Sequence, residues 1–202
     1  MTAVRVIKLG GSLLGWPELT GCFQSWLAAE PPAANIVIVG GGPIVESLRE
    51  LDRHQKLSDE ATHWLAIRAM GITAALVAQQ FDNARLVTSL EALQLAEPTC
   101  LQILDVEHFL RDDHGTPGAL PCGWHVTSDS IAARVATILR ASELVLLKST
   151  SPSGATREAW SRSAFVDPHF PRASQTLYVR AINLRALSSS ALPTAFSLQP
   201  SA

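Results

Sequence analysis

The feature that most restricts the fold is a set of short, nearly unbroken apolar runs, each closed by glycine or lysine. Val4 to Leu9 ends at Gly10-Gly11, residues 35–39 end at Gly40-Gly41-Gly42-Pro43, and residues 144–147 end at Lys148. Such runs are too short to be core helices and lack the alternation of a sheet with one wet face. Between them lie segments with helical spacing. Leu19, Phe23, Trp26 and Leu27 mark one that Pro31-Pro32 stops. Ile44, Val45, Leu48 and Leu51 mark a second. A third is capped by Ser58, with Asp59 and Glu60 in its first turn, and runs to about Gln80. A fourth is capped by Thr127 or Ser128 and carries Ile131, Val135, Ile138 and Leu139. Shorter strands are expected at residues 85–87 and 100–104, a late strand at 176–182, and loops at 112–123 and 149–154. Strands buried on both faces and alternating with helices predict an α/β fold, a three-layer αβα sandwich around a mostly parallel sheet. One domain over residues 1–186 is expected, followed by a Ser-rich C-terminal tail at 187–202.

Composition excludes several function classes. The chain has 202 residues, 47% of them hydrophobic, with a formal net charge of -2, so it offers no basic field for nucleic acid. Neither a signal peptide nor a membrane span is expected, which points to a cytoplasmic protein. Cys22, Cys100 and Cys122 are widely spaced and odd in number, as reduced thiols are, and the six histidines show no metal-ligand spacing.

Of 16 basic residues only three are lysines, Lys8, Lys56 and Lys148, and two of these close apolar strands. A compact ammonium fits between phosphate oxygens where a guanidinium fork is too broad. In parallel sheets ligands gather beyond the carboxyl ends of the strands, where both lysines fall. Lys8-Leu9-Gly10-Gly11-Ser12 places glycines where backbone N–H groups can approach an anion. By itself it reads equally as a strand-to-helix turn, and it is no P-loop. Gly40-Gly41-Gly42-Pro43 enters a helix and reads equally as a tight turn or an anion cradle. Val45 stands where a dinucleotide fingerprint needs glycine. Asp129, in Trp124-His125-Val126-Thr127-Ser128-Asp129-Ser130, reads locally as a helix cap or as a carboxylate organising the two lysines. Lys148 reads as a snorkelling strand end or as a ligand contact. His63 shares a helix face with Ile67 and Met70, where a histidine is more often structural. Two lysines, two glycine loops and one aspartate would suffice for phosphoryl transfer, which needs positioning and positive charge.

In order, Ile7-Lys8-Leu9-Gly10-Gly11-Ser12, Val37-Ile38-Val39-Gly40-Gly41-Gly42, Ser128-Asp129 and the strand ending at Lys148 resemble the amino acid kinase superfamily, the carbamate kinase-like fold of aspartate, glutamate and uridylate kinases. His63-Trp64-Leu65-Ala66-Ile67, the 124–130 stretch and Leu147-Lys148-Ser149 are most similar to its small archaeal-type branch, which includes the aminomethylfuranmethanol phosphate kinase of methanofuran biosynthesis. The resemblance implies an ATP-dependent kinase acting with Mg²⁺ on a small phosphorylated or carboxylated metabolite. Lys8, Asp129 and Lys148 would be catalytic. Gly10, Gly11, Ser12, Ser149, Thr150 and Gly154 would bind nucleotide phosphates. Gly40, Gly41, Gly42, His63 and Ser128 would bind the acceptor. No protein metal ligand is implied, since Mg²⁺ would ride on ATP. Relatives are often homo-oligomers, with Trp26 and Trp64 as candidate interface residues here. One departure stands out: relatives carry an Asp-Gly pair after the late strand, whereas residues 149–154 hold no aspartate. The stretch 165–170 is a candidate replacement. The alternative reading is a catalytically silent nucleotide- or metabolite-binding subunit of the same fold.

Overall fold

In the computed structural model, which describes residues 2–95, 100–189 and 195–201, the apolar runs become neighbours in one sheet. The first half of the chain supplies β1 (Val4–Leu9), α1 (Leu19–Ala29), β2 (Ala34–Val39), α2 (Gly42–Gln55), α3 (Asp59–Ala78), β3 (Ala84–Val87) and β4 (Leu101–Leu104). The second half supplies α4 (Glu107–Asp113), α5 (Ser128–Ile138), β5 (Glu143–Lys148), α6 (Arg157–Arg162), α7 (Phe170–Ala173), β6 (Val179–Asn183) and β7 (Phe196–Leu198). The strand order is β3-β4-β2-β1-β5-β6-β7, parallel throughout except for the antiparallel β6–β7 pair.

β1 is the pivot. The chain first builds outward from it through β2, then returns to add β5 on its other side. The crevice at its carboxyl end is therefore the topological switch point, where α/β sheets take ligands. Side chains alternate across the pleat. Ile7 and Leu9 pack with Val37, Val39, Val145 and Leu147 under Phe23 and Trp26 of α1. Val6 faces the other way, with Ile38, Leu146 and the α5 residues Ile131, Ala132 and Val135. Lys8 and Lys148 share the parity of Val6 and Leu146, so both point to the α5 side. The αβα sandwich expected from the sequence is observed.

Several expectations need correction. α4, α6 and α7 had no expected counterpart, and only the last two residues of α4, 112 and 113, fall in the expected loop at 112–123. Residues 196–198 of the expected tail form an edge strand on β6; residues 190–194 and 202 of that tail lie outside the described residues. Trp26 is buried against Phe23 in the core, so it offers no surface for an interface. The α5 cap is Thr127, whose hydroxyl accepts from Asp129 N–H, while Ser58 caps α3 as expected. α3 is long and apolar enough by length and composition to cross a membrane. Here its Ile67, Met70, Ala74 and Val77 are buried in the protein core. The three cysteines are free.

At the amino end of the sheet an ion-pair ladder ties four adjacent strands. Buried Arg5 on β1 donates to Glu143 on β5 (2.6 Å) and to Asn35 on β2 (3.1 Å). Arg180 on β6 donates to the second oxygen of Glu143 (2.7 Å) and to Glu30 (2.6 Å). Removing the shared carboxylate leaves two guanidinium groups without it in a largely dry site. Glu143→Ala is expected to lower stability by roughly 3 kcal/mol, read from the denaturant midpoint at unchanged m-value.

Candidate active site

The strand parities bring three charges together. At the first turn of α5, Asp129 sits between the lysines, with Oδ2 accepting from Lys148 Nζ at 2.8 Å. Lys8 Nζ stands 3.0 Å from Oδ1 as an ion pair, at an angle that leaves Oδ1 without a directed hydrogen bond. Lys148 Nζ also donates to the carbonyl of Phe165 at 2.7 Å and lies 5.1 Å from that residue's ring centroid. Burial pushes the Asp129 carboxyl up, but Lys148 and Lys8 outweigh it and hold the group below the ordinary carboxylate range. Burial pulls Lys148 down to about 8, against the opposing pull of Asp129 and with the help of Lys8. Lys148 thus stays mostly protonated at neutral pH and loses its charge as the pH rises past about 8. Of the two local readings of Asp129, the lysine bridge is the one its side chain adopts.

The two glycine loops meet beside this triad. A Cβ on Gly11 would come within 2.6 Å of Gly42 Cα, so the loops touch backbone to backbone. Gly42 has φ +53, in the left-handed region. Among the described residues, the N–H groups of Gly11, Ser12 and Gly41 donate to no backbone carbonyl or side chain. Those of Gly10 and Gly40 are used, donating to Leu147 and Leu9 carbonyls. Free N–H groups beside two ammonium groups make an anion cradle, at the start of a helix whose dipole adds to the field.

The cradle opens into a cavity of about 560 Å³. Lys8, Gly10, Gly11, Ser12, Gly40, Gly41, Gly42, His63, Ser128 and Lys148 all line it, as do Val45, Ile67, Met70 and Val126. Burial lowers the His63 pKa, and repulsion from His114 and His125 adds to this, so the ring is neutral at pH 7. Ser149 is at the rim, where its hydroxyl meets that of Ser12 at 2.9 Å. Thr150 and Gly154 are not among the lining residues. The Gly154 carbonyl instead accepts from Trp160 Nε1 at 3.0 Å.

The 165–170 stretch supports the triad from behind. Buried Asp167 accepts from the N–H and hydroxyl of both Thr127 and Ser130, and from the N–H groups of His169 and Phe170, at 2.6–3.1 Å. All its acceptor capacity goes to fastening the head of α5 to the segment that carries the Phe165 carbonyl. Asp167 therefore sets the positions of Asp129 and of one Lys148 acceptor. Its partners on α5, Thr127 and Ser130, lie 40 and 37 residues earlier in the chain, and an Asp before a proline reads locally as a turn.

The profile of the family described as "Amino acid kinase family" matches residues 3–151. The chain belongs to the amino acid kinase family. It is a phosphotransferase of that family. No curated protein matches the sequence. Similar solved structures include the uridylate kinase of Archaeoglobus fulgidus, at 17% identity and TM-score 0.62, covering 96% of this chain and 99% of that one. The UMP kinase of Ureaplasma parvum aligns at 12% identity and TM-score 0.63, covering 98% and 100%. An aspartate kinase from Synechocystis aligns at 14% and 0.65, covering 98% of this chain and 40% of its own. At these identities the likeness is one of fold.

Because the chain has only three lysines, ¹³Cε-lysine labelling gives three resonances to titrate. Lys148 is expected to titrate near pH 8. Asp129→Asn should move it further down, since the carboxylate is what holds the proton on. Phosphate affinity should correspondingly weaken as pH rises through that value, because the ammonium charge is lost.

Proposed function

We propose that this member of the amino acid kinase family transfers the γ-phosphoryl group of ATP to a small metabolite bearing a phosphate or carboxylate. The supporting observation is the Lys8–Asp129–Lys148 bridge at the switch point, facing the meeting place of two glycine loops. An oxygen of the acceptor attacks the γ-phosphorus. The new O–P bond forms as the bond to the β,γ-bridging oxygen breaks, and ADP leaves with that electron pair. Charge gathers on the equatorial and bridging oxygens, where Lys8, Lys148 and the free N–H groups of the loops can stabilise it. An anionic acceptor needs no base. This suits a site in which Asp129 is held by two lysines and His63 is neutral but carries no oriented partner beyond its rings. Nor does the buried carboxylate suit a metal. Asp129 is flanked by two cations, and no group of three candidate ligands occurs among the described residues. Mg²⁺ would therefore be carried by the nucleotide phosphates, neutralising them, and no step depends on a protein-held ion.

Lys8 is the residue this reading depends on most. Lys8→Met is expected to cut turnover by ~10–100-fold or more, ~1.4–2.7 kcal/mol of transition-state stabilisation, with far-UV circular dichroism unchanged. Activity like that of the wild type would remove Lys8 from the mechanism.

Within this class, the acceptor we propose is aminomethylfuranmethanol phosphate, converted to its diphosphate. The support is the likeness at His63-Trp64 and at 124–130, of which His63, Trp124, Val126, Thr127 and Ser128 line the cavity. Incubation with that phosphate and Mg-ATP is expected to release ADP stoichiometric with diphosphate. ADP at background level rejects this acceptor and leaves the broader class standing. A silent binding subunit is favoured only by the loop at 149–154, which has no aspartate. Calorimetry that shows ATP binding without turnover on any anionic acceptor would select it.

A further inference from the structure

The cavity contains a third cation that neither the glycine loops nor the triad accounts for. Arg49 lies on α2, two turns beyond Gly42. Side chains on a helix lean toward its N-terminus, and Arg49 follows this, since its Nε stands 3.9 Å from Glu46 Oε2. The guanidinium is thus about one turn, ~5 Å, along the axis from the start of α2. It lies over Trp124, with Cζ 4.5 Å from the ring centroid. Trp124 is itself fixed, because its Nε1 donates to Asp52 Oδ2 at 2.9 Å, and Oδ1 of the same carboxylate accepts from Leu57 N–H. Arg49 and Trp124 both line the cavity that holds Lys8.

What Arg49 lacks is a satisfying anion. Glu46 is beyond hydrogen-bond reach and 70% exposed at the mouth, and Arg49 Nε is buried with no hydrogen-bond partner. A guanidinium held over an aromatic ring, with Nε unpaired, is pre-organised for a planar or tetrahedral oxyanion, at little entropic cost. The wall of the same cavity is apolar at Val45, Ile67 and Met70, and the Arg49 side chain, 36% exposed, is open to an incoming anion.

We infer that Arg49, braced by Trp124 and Asp52, is the specificity-determining residue for the acceptor. It takes the non-reacting oxygens of the acceptor's phosphate or carboxylate while the reacting oxygen faces Lys8. The inference rests on the phosphotransferase reading of the cavity. It adds a division of labour: Lys8 and Lys148 serve the transferred group, and Arg49 serves the acceptor. Arginine is required rather than lysine, because only the planar group can both stack and present two N–H bonds to one oxyanion.

Calorimetric titration with phenyl phosphate, in the presence of saturating ADP, tests this without knowledge of the natural acceptor. Arg49→Met is expected to weaken phenyl phosphate roughly 10-fold or more and to leave ADP affinity within about 2-fold. Arg49→Lys should recover only part of the loss, and Trp124→Leu should weaken the probe while ADP binding stays intact. Equal affinity of Arg49→Met and wild type for phenyl phosphate overturns the inference. So does full recovery in Arg49→Lys, an equal loss of ADP binding, or a wild type that binds no phenyl phosphate. Failure of the kinase reading looks different: ADP and ATP then fail to bind the wild type, while phenyl phosphate titrated alone still reports on Arg49.

Discussion

A single buried carboxylate holds two ammonium groups beside one another at the end of the central strand, and the rest of the site is arranged around that fact. Two like charges this close repel strongly in a dry environment, and without Asp129 at least one would shed its proton. With Asp129 between them both ends of the bridge can face a polyphosphate. The fold meets this need through strand parity. Lys8 and Lys148 lie on neighbouring strands with side chains on the same side of the sheet, and the first turn of α5 drops its aspartate between them.

The bridge in turn relies on Asp167. A carboxylate that accepts six hydrogen bonds has no capacity left for a ligand, and its rigidity passes to both partners of Lys148. The short helices α6 and α7 and the strand β7 serve the same end, since they bury Trp160 and Phe170 behind α5 and close the sheet beyond β6. The half of the chain that looks least regular in the sequence is thus the half that supports the site from behind.

How much of this was legible in the sequence follows from the range of each interaction. The αβα architecture was readable because fully buried strands leave unbroken apolar runs. Lys8 and Lys148 were conspicuous because lysine is scarce here and both close such runs. Asp129 was ambiguous locally, and only the sheet's strand order showed which role its side chain takes. Arg49 and Asp167 carried no local signal. Their meaning comes from Trp124 and from Thr127 and Ser130, each brought near by the fold alone. Short helices such as α6 and α7 are similarly invisible, since a turn or two offers no period to read. Thr150 and Gly154 lie outside the cavity lining, since adjacency to Lys148 in sequence does not mean adjacency to the cavity.

The contact between the Gly11 and Gly42 backbones has a consequence for how such an enzyme can diverge. Where two main chains meet with no side chain between them, the gap is set by van der Waals radii for as long as both positions remain glycine. The meeting of the two loops is therefore a fixed gauge. Everything adjustable lies one turn or more away, on the walls supplied by α2, α3 and the segment around Trp124. Selection can exchange one metabolite for another by rebuilding those walls, while the spacing that the chemistry demands is inherited unchanged.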